Sequence, residues 1–363
     1  MPVSEPRLKT VYWTVTRECN QRCSHCWISA GTRREGELNT EESLQVFNVM
    51  VDMGLEQVKL TGGEPLLQWK KINTVMEFLI DHGVQPRIET NATLIQDAYG
   101  EEILSFLEKN HVHVAVSLDS HIPQQHDQFR GMKGGFEKTL SALTSMRSHN
   151  ISFSIVTVLH RENRATIDEI VDFVREIYPR HHQINIITPE GRAENNDRYQ
   201  LPIESYVEDL PLLIKKIRKK MGEKVSFAIP YVFAPLNTRF LNCTVGKEIC
   251  GLLPNGDIAM CGAGINREDL VLGNALRDDI EDIWLHSPVF MTLRRGITSL
   301  KGVCSNCWFA QYCMGHCRAY AYSVYGQLEA PYPMCQTVYE QGAFPEKYLV
   351  HPERDCSYVP PEG

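Results

Sequence analysis

The sequence predicts an α/β protein: a partial (β/α)6 TIM-like barrel followed by a loop-rich region built around cysteines. Two observations carry this. Over the first two thirds, short β-rich runs alternate with amphipathic stretches at a spacing of about 30 residues. Six such units imply a parallel sheet with right-handed crossovers, two units short of the closed eight-fold barrel. After about residue 230 the alternation stops, and Pro230, Pro235, Pro254 and a dense series of cysteines replace it.

In chain order, the strand candidates are Val11–Thr16, Gln57–Leu60, Pro86–Thr90, Val112–Ser117, Ile151–Leu159 and Gln183–Ile187. Each is rich in β-branched or apolar residues and bounded by turn formers. Helices are expected near 41–53, 70–82, 97–109, 135–149, 164–177 and 203–220. The first is the best signalled: Asn39 can cap it, Glu42 stands at the capping-box position, and Gly54 follows its end. This gives a barrel over 1–230, a cysteine-bearing domain over 231–343 and a surface tail over 344–363. So loop-rich a second domain buries little apolar surface, and bound metal is expected to supply part of its stability.

Composition bounds the function. A net charge of −8 argues against nonspecific binding to nucleic acid or to an anionic membrane. The one basic run, Lys215 to Lys220, sits in a helix-like stretch and reads as a solvated face. No apolar run approaches the roughly 20 residues that span a bilayer, and Met1 to Thr10 has no secretory character, so a cytoplasmic protein is expected. Disulfides are rare there, which leaves metal ligation as the leading use for twelve cysteines.

Cys19, Cys23 and Cys26 form C-x3-C-x2-C just after the first strand. Three thiolates do not complete a structural zinc site, but they can hold a [4Fe–4S] cube at three irons and leave the fourth open. Residues 61–65, Thr-Gly-Gly-Glu-Pro, follow the second strand. Paired glycines let backbone approach a ligand closely, and Glu64 can neutralise an ammonium.

In these two segments the chain resembles the radical S-adenosylmethionine (SAM) superfamily. The resemblance implies that Gly62, Gly63, Glu64 and Pro65 bind the SAM amino group. Thr90-Asn91 looks like the ribose-contacting segment, although Ala92 stands where a glycine is common. Ser117, in Ser-Leu-Asp after the fourth strand, is expected to face SAM, and Arg130 to pair with its carboxylate. Either His25 or Trp27, flanking Cys26, is expected to pack on the adenine. The implied chemistry is cleavage of SAM by an electron from the cluster, giving a 5′-deoxyadenosyl radical that abstracts a substrate hydrogen. A flavodoxin- or ferredoxin-type reductant is the expected electron source. No catalytic acid or base is legible.

Cys304, Cys307, Cys313 and Cys317 read C-x2-C-x5-C-x3-C, followed by Cys335 and preceded by Cys243, Cys250 and Cys261. Spacing alone also permits a pair of zinc sites. Order and spacing over 243–335 resemble the SPASM auxiliary-cluster domain. That resemblance implies Cys243, Cys250, Cys261 and Cys317 on one auxiliary [4Fe–4S] cluster and Cys304, Cys307, Cys313 and Cys335 on a second. Cys250 is the alternative to an open iron, and Cys356 is left as an incidental thiol.

Members of the group commonly modify ribosomally made peptides by oxidation or cross-linking, and a peptide substrate is the first expectation here. With the first strand beginning by about residue 11, a separate recognition protein or direct recognition of the leader is expected. The alternatives are dehydrogenation of a small metabolite and formylglycine formation on a sulfatase.

Overall fold

The β-rich runs become strands close to the expected positions: β1 (Thr10–Thr14), β2 (Gln57–Thr61), β3 (Gln85–Thr90), β4 (His113–Ser117), β5 (Phe153–Leu159) and β6 (His181–Ile186). A seventh, β7 (Val225–Ala228), extends the expected set. Its four residues are too short a run to stand out in the sequence. The structure, a computed structural model, describes residues 6–234, 243–295 and 300–360.

Between the strands run α1 (Thr40–Asp52), α2 (Trp69–Asp81), α3 (Gly100–Lys109), α4 (Pro123–Arg130), α5 (Gly135–Ser148), α6 (Ile167–Ile177), α7 (Ile203–Val207) and α8 (Asp209–Met221). The capping box of α1 is closed both ways: Glu42 N donates to Asn39 Oδ1 at 2.9 Å, and Asn39 N donates to Glu42 Oε2 at 2.8 Å. Helix α4 was not expected. Its sequence, Pro-Gln-Gln-His-Asp-Gln-Phe-Arg, has a single large apolar residue and shows no helical stripe.

The C-terminal third adds β8 (Ile249–Leu252), β9 (Asp257–Ala259) and β10 (Val271–Asn274), with short helices α9 (Ile280–His286), α10 (Pro288–Arg294), α11 (Ala310–Cys313), α12 (Arg318–Tyr325) and α13 (Pro333–Glu340). All ten strands belong to one sheet, in the order β10-β9-β8-β1-β2-β3-β4-β5-β6-β7. From β8 to β7 every neighbouring pair is parallel. The cysteine-bearing region therefore continues the barrel sheet through β8, pairing Val11 with Cys250 and Trp13 with Leu252. Its buried side chains, Phe290, Val303, Phe309 and Val338 among them, join the same core as the barrel. Metal is not its only support.

The two faces of the sheet differ. Val11, Trp13, Val58, Leu60, Ile88, Val114 and Val116 are buried under the helices, with Trp13 edge-on to Phe47 at 5.1 Å. The alternate residues, Tyr12, Lys59, Arg87, Glu89, Ala115, Ser154 and Gln183, line the inner face. The stretch from Phe344, expected as a surface tail, is stitched down: Trp308 N donates to Tyr348 O, Val350 N to Asn306 O, and Cys356 is 3% exposed.

Candidate active site and auxiliary cysteine pockets

The loop after β1 carries Cys19, Cys23 and Cys26, and three neighbouring segments pin it. From the β2 side, Gly63 N donates to Thr16 O at 2.8 Å and Glu64 N to Glu18 O at 2.7 Å. A Cβ at Gly63 would lie 1.9 Å from Glu18 O, so only glycine permits this approach. The sequence suggested that the glycines bring backbone close to a ligand; here they bring it close to the cysteine loop. From the end of α4, the carbonyls of Arg130 and Phe129 accept from Arg22 N and Ser24 N at 3.1 and 2.8 Å. From the turn after β6, Arg192 donates to Cys23 O at 2.8 Å and Ala30 O at 2.6 Å.

Burial pushes the Cys19 thiol up to about 12 and the Cys23 thiol to about 11; Glu64 and the neighbouring sulfurs add to the rise at Cys19. Thiols so placed stay protonated against water and ionise for a cationic iron–sulfur core. Three soft donors on one pinned loop fit such a group. Among the described residues, no three His, Cys, Asp or Glu side chains converge as a single metal ion would require.

Beside the loop, Glu64 is 1% exposed and accepts from Leu66 N at 3.0 Å, Thr90 Oγ1 at 2.7 Å and Asn91 N at 2.9 Å. Burial raises its pKa, against these bonds and Arg130. Pro65 starts the buried turn that Glu64 caps. Asn91 also donates to Asn20 Oδ1 at 2.9 Å, tying the segment after β3 to the cysteine loop. Ala92 sits at φ 61°, which explains the preference for glycine there.

Arg130 donates through Nε to Asp119 Oδ2 at 2.7 Å, in a pair 7% and 1% exposed. Its Nη1 lies 4.0 Å from Cys23 Sγ. Burial opposes ionisation of Asp119, but Arg130 and the nearby imidazoles win and hold it at about 2. Val158 N also donates to its Oδ1 at 2.7 Å. Ser117 is half-buried at the end of β4. His25 stacks on Phe129 at 4.4 Å, and Phe129 stacks on His160 at 4.0 Å. Trp27 is 42% exposed, its ring edge against Gly262.

Sequence reading named Asp119 only within Ser-Leu-Asp, without a role of its own, and passed over Phe129, His160, Asn163 and Arg192. Asn163 donates to Asp119 O at 3.0 Å and Val158 O at 2.9 Å, fixing the strand end that carries Asp119. The available signal was Asp119 itself, an acid directly after a buried strand.

Seven of the remaining nine cysteines line two pockets. One is bordered by Cys304, Cys307, Cys313 and Cys335 with Tyr231, Phe309 and Tyr332. The other is bordered by Cys243, Cys261 and Cys317 with Lys247, Met314, His316 and Arg318. Cys250 is the departure from the expected eight. It pairs with Val11 on β1 and shares its buried face, 1% exposed, whereas Cys261 backbone lies against Gly251, the next residue along the strand. Successive strand residues point to opposite faces, so Cys250 is turned away from Cys261.

Four thiols around one apolar pocket and three around another, beside a pinned three-cysteine loop on a parallel sheet, are the donor sets of an iron–sulfur protein. Residues 13–174 match the Radical SAM superfamily and residues 243–308 the SPASM iron–sulfur cluster-binding domain. The chain belongs to the radical SAM superfamily and carries a SPASM domain; its cofactors are a [4Fe–4S] cluster with SAM and auxiliary clusters.

Among its relatives, the AdoMet-dependent heme synthase of Methanosarcina barkeri is 27% identical over 93% of this chain and 97% of its own length. The mycofactocin maturase MftC of Mycobacterium tuberculosis is 27% identical over 95% of this chain and 87% of its own. In fold, the chain is similar to Streptococcus suis SuiB bound to S-adenosylmethionine, with a TM-score of 0.72 and 17% identity, covering 91% of this chain and 78% of SuiB. SuiB has also been crystallised with its precursor peptide SuiA.

Proposed function

We propose that this radical SAM enzyme is a maturase that modifies a ribosomally made peptide, by oxidation or bond formation. The observation that supports it most is the likeness to a maturase over nearly the whole chain, together with a fold similar to SuiB. In this reading Cys19, Cys23 and Cys26 hold the SAM-binding cluster, which supplies the electron that cleaves SAM. Glu64, with its Thr90 and Asn91 partners, meets the amino group and ribose side of SAM. Arg130, kept charged by Asp119, meets the carboxylate, and Ser117 faces the same space. Cys304, Cys307, Cys313 and Cys335 hold one auxiliary cluster. Cys243, Cys261 and Cys317 hold the other, whose fourth corner is not a cysteine.

After hydrogen abstraction the substrate radical must lose or gain an electron. The Cys243–Cys261 pocket adjoins Tyr12 on the inner face of the barrel: burial raises the Tyr12 pKa, and these two thiols add to the rise. A cluster held by these thiols would supply a neighbouring electron acceptor, so oxidation or a new bond is the expected outcome. A flavodoxin- or ferredoxin-type protein is the proposed reductant. Among the described residues, no helix is long and apolar enough to cross a membrane.

The likeness to a heme synthase over 97% of its length favours a second reading, in which the substrate is a tetrapyrrole. Anaerobic incubation with SAM, reductant and candidate precursor peptides, followed by mass spectrometry, separates the two. A peptide that loses about 2 Da per two-electron oxidation, dependent on Cys19, supports the maturase. Unmodified peptides together with turnover of iron-coproporphyrin III overturn it.

A further inference from the structure

The inner face of the sheet encloses a cavity of about 1030 Å³. Its lining comes mostly from the starts and middles of the strands, Tyr12, Lys59, Arg87, His113 and His181 among others, and from His111, Ser152 and Arg180 just before them, with Glu89 further along β3. It therefore opens at the end of the barrel opposite the cysteine loop. From Ser117, at the loop end of β4, down to His113 is four residues, about 13 Å at 3.3 Å per residue.

The charges are not balanced. Lys59 and Glu89 pair at 2.6 Å and cancel. Arg87 and Arg180 remain, so the mouth is net positive in a chain whose total is −8. Arg87 donates to the neutral Gln57 side chain at 3.1 and 3.2 Å and to no carboxylate in the cavity. Hydroxyl and imidazole groups complete the rim: His113 contacts Ser152 and Ser154 at 2.9 and 3.0 Å, and His181 contacts Ser226 at 2.7 Å. Burial and then Arg87, Arg180 and His181 pull the His113 pKa down to about 4, so its ring is neutral at neutral pH. A cationic rim on a low-dielectric wall attracts anions, and guanidinium forks match carboxylates.

We propose that this mouth binds carboxylate side chains of the peptide substrate, holding an acidic segment roughly 10–20 Å from the strand ends where SAM is bound, the spans from Arg87 to Thr90 and from Arg180 to Ile186. Arg87 and Arg180 are the recognition residues. Lys59, tied to Glu89, marks the inner limit of the charged zone. Binding energy gathered at this distance orients the reacting residue without touching it. The assignment rests on the maturase reading and adds to it the charge of the segment recognised.

The test uses anaerobically reconstituted holoprotein and three labelled decapeptides, alternating Gly with Glu, with Gln or with Lys, followed by fluorescence anisotropy. The Glu peptide is expected to bind at least about ten-fold tighter than the other two, the factor for 1.4 kcal/mol. In Arg87→Gln/Arg180→Gln that advantage disappears, and high salt erases it in the wild type. Lys215→Gln/Lys219→Gln, which removes exposed charges on α8, leaves it intact. Iron content and thermal midpoint check folding; should the double variant fail them, exposed Arg180→Gln alone is expected to lose part of the advantage. Equal binding of Glu and Gln peptides, or an advantage untouched by the arginine substitutions, overturns the proposal even where mass spectrometry finds a modified peptide. Binding of iron-coproporphyrin III through Arg87 and Arg180, with no peptide modified, overturns the maturase reading and the peptide assignment with it.

Discussion

A methyl group at position 63 has nowhere to go, because the Glu18 carbonyl would sit 1.9 Å from it. Gly63→Ala is therefore expected to push the loop of Cys19, Cys23 and Cys26 away from β2. Iron per chain should fall by about four, with loss of 5′-deoxyadenosine formation. Asp119 acts differently. Asp119→Asn leaves the Arg130 charge buried without its partner, which costs about 3–5 kcal/mol in comparable buried pairs. Urea unfolding of the holoprotein measures that loss, and weaker SAM binding should accompany it. The two residues were unequally legible. Gly63 belongs to a short motif with a glycine pair, whereas Asp119 is visible as the acid of Ser-Leu-Asp but gains its role when Arg130, eleven residues on, folds back against it.

At the scale of elements, the cysteine loop is held from three directions by backbone-to-backbone or guanidinium-to-carbonyl bonds, and from a fourth by the Asn91–Asn20 side-chain bond. Arg192, in the turn after β6, reaches Cys23 O and Ala30 O. Arg192→Ala is expected to loosen the loop and speed cluster loss under air. Arg198→Ala, which removes contacts with Glu162, Gln128 and Tyr199 but none with the cysteine loop, should not; visible absorbance over time compares them. The clamp was invisible in sequence because it joins positions more than 160 apart. The six major strands and α1 were legible because period-two burial and a capping box are local signals. α4 and β7 lacked any such signal. Cys250, left open between ligand and open iron, could not be placed from spacing either: spacing counts cysteines, while strand alternation decides which way each points. Cys250→Ala should retain full iron content at a modest stability cost, whereas Cys243→Ala should lose iron.

For the molecule as a whole, acid sensitivity follows from its buried imidazoles. Burial lowers His113, His126 and His160 to about 4 and His182 to about 3. The unfolded chain takes up these protons near the ordinary value of about 6.5, the folded chain only well below it. Their stabilising contribution is complete above about 6.5 and declines as pH falls toward 4, by up to about 1.4 kcal/mol per pH unit for each buried ring and by less for half-buried His113, which solvent screens. Asp119 titrates in a lower window: its contribution is present above about 3.8 and is lost as pH falls through about 2. Urea midpoints at pH 7.5, 6 and 5 should fall steadily. His182→Asn should make that fall shallower, since His182 bonds only Thr157 at 2.8 Å among the described partners.

The pairing of β1 with β8 also has a consequence for synthesis. Thr10 waits for Ile249, which leaves the ribosome 239 residues later. At about 5–20 residues per second, one side of β1 stays unpaired for roughly 12–48 s. An open strand edge of that kind invites association with other nascent chains. A fragment ending near residue 230 never gains its missing neighbour. It is expected to aggregate, however complete its share of the barrel, and sedimentation of the fragment against the full chain would show it.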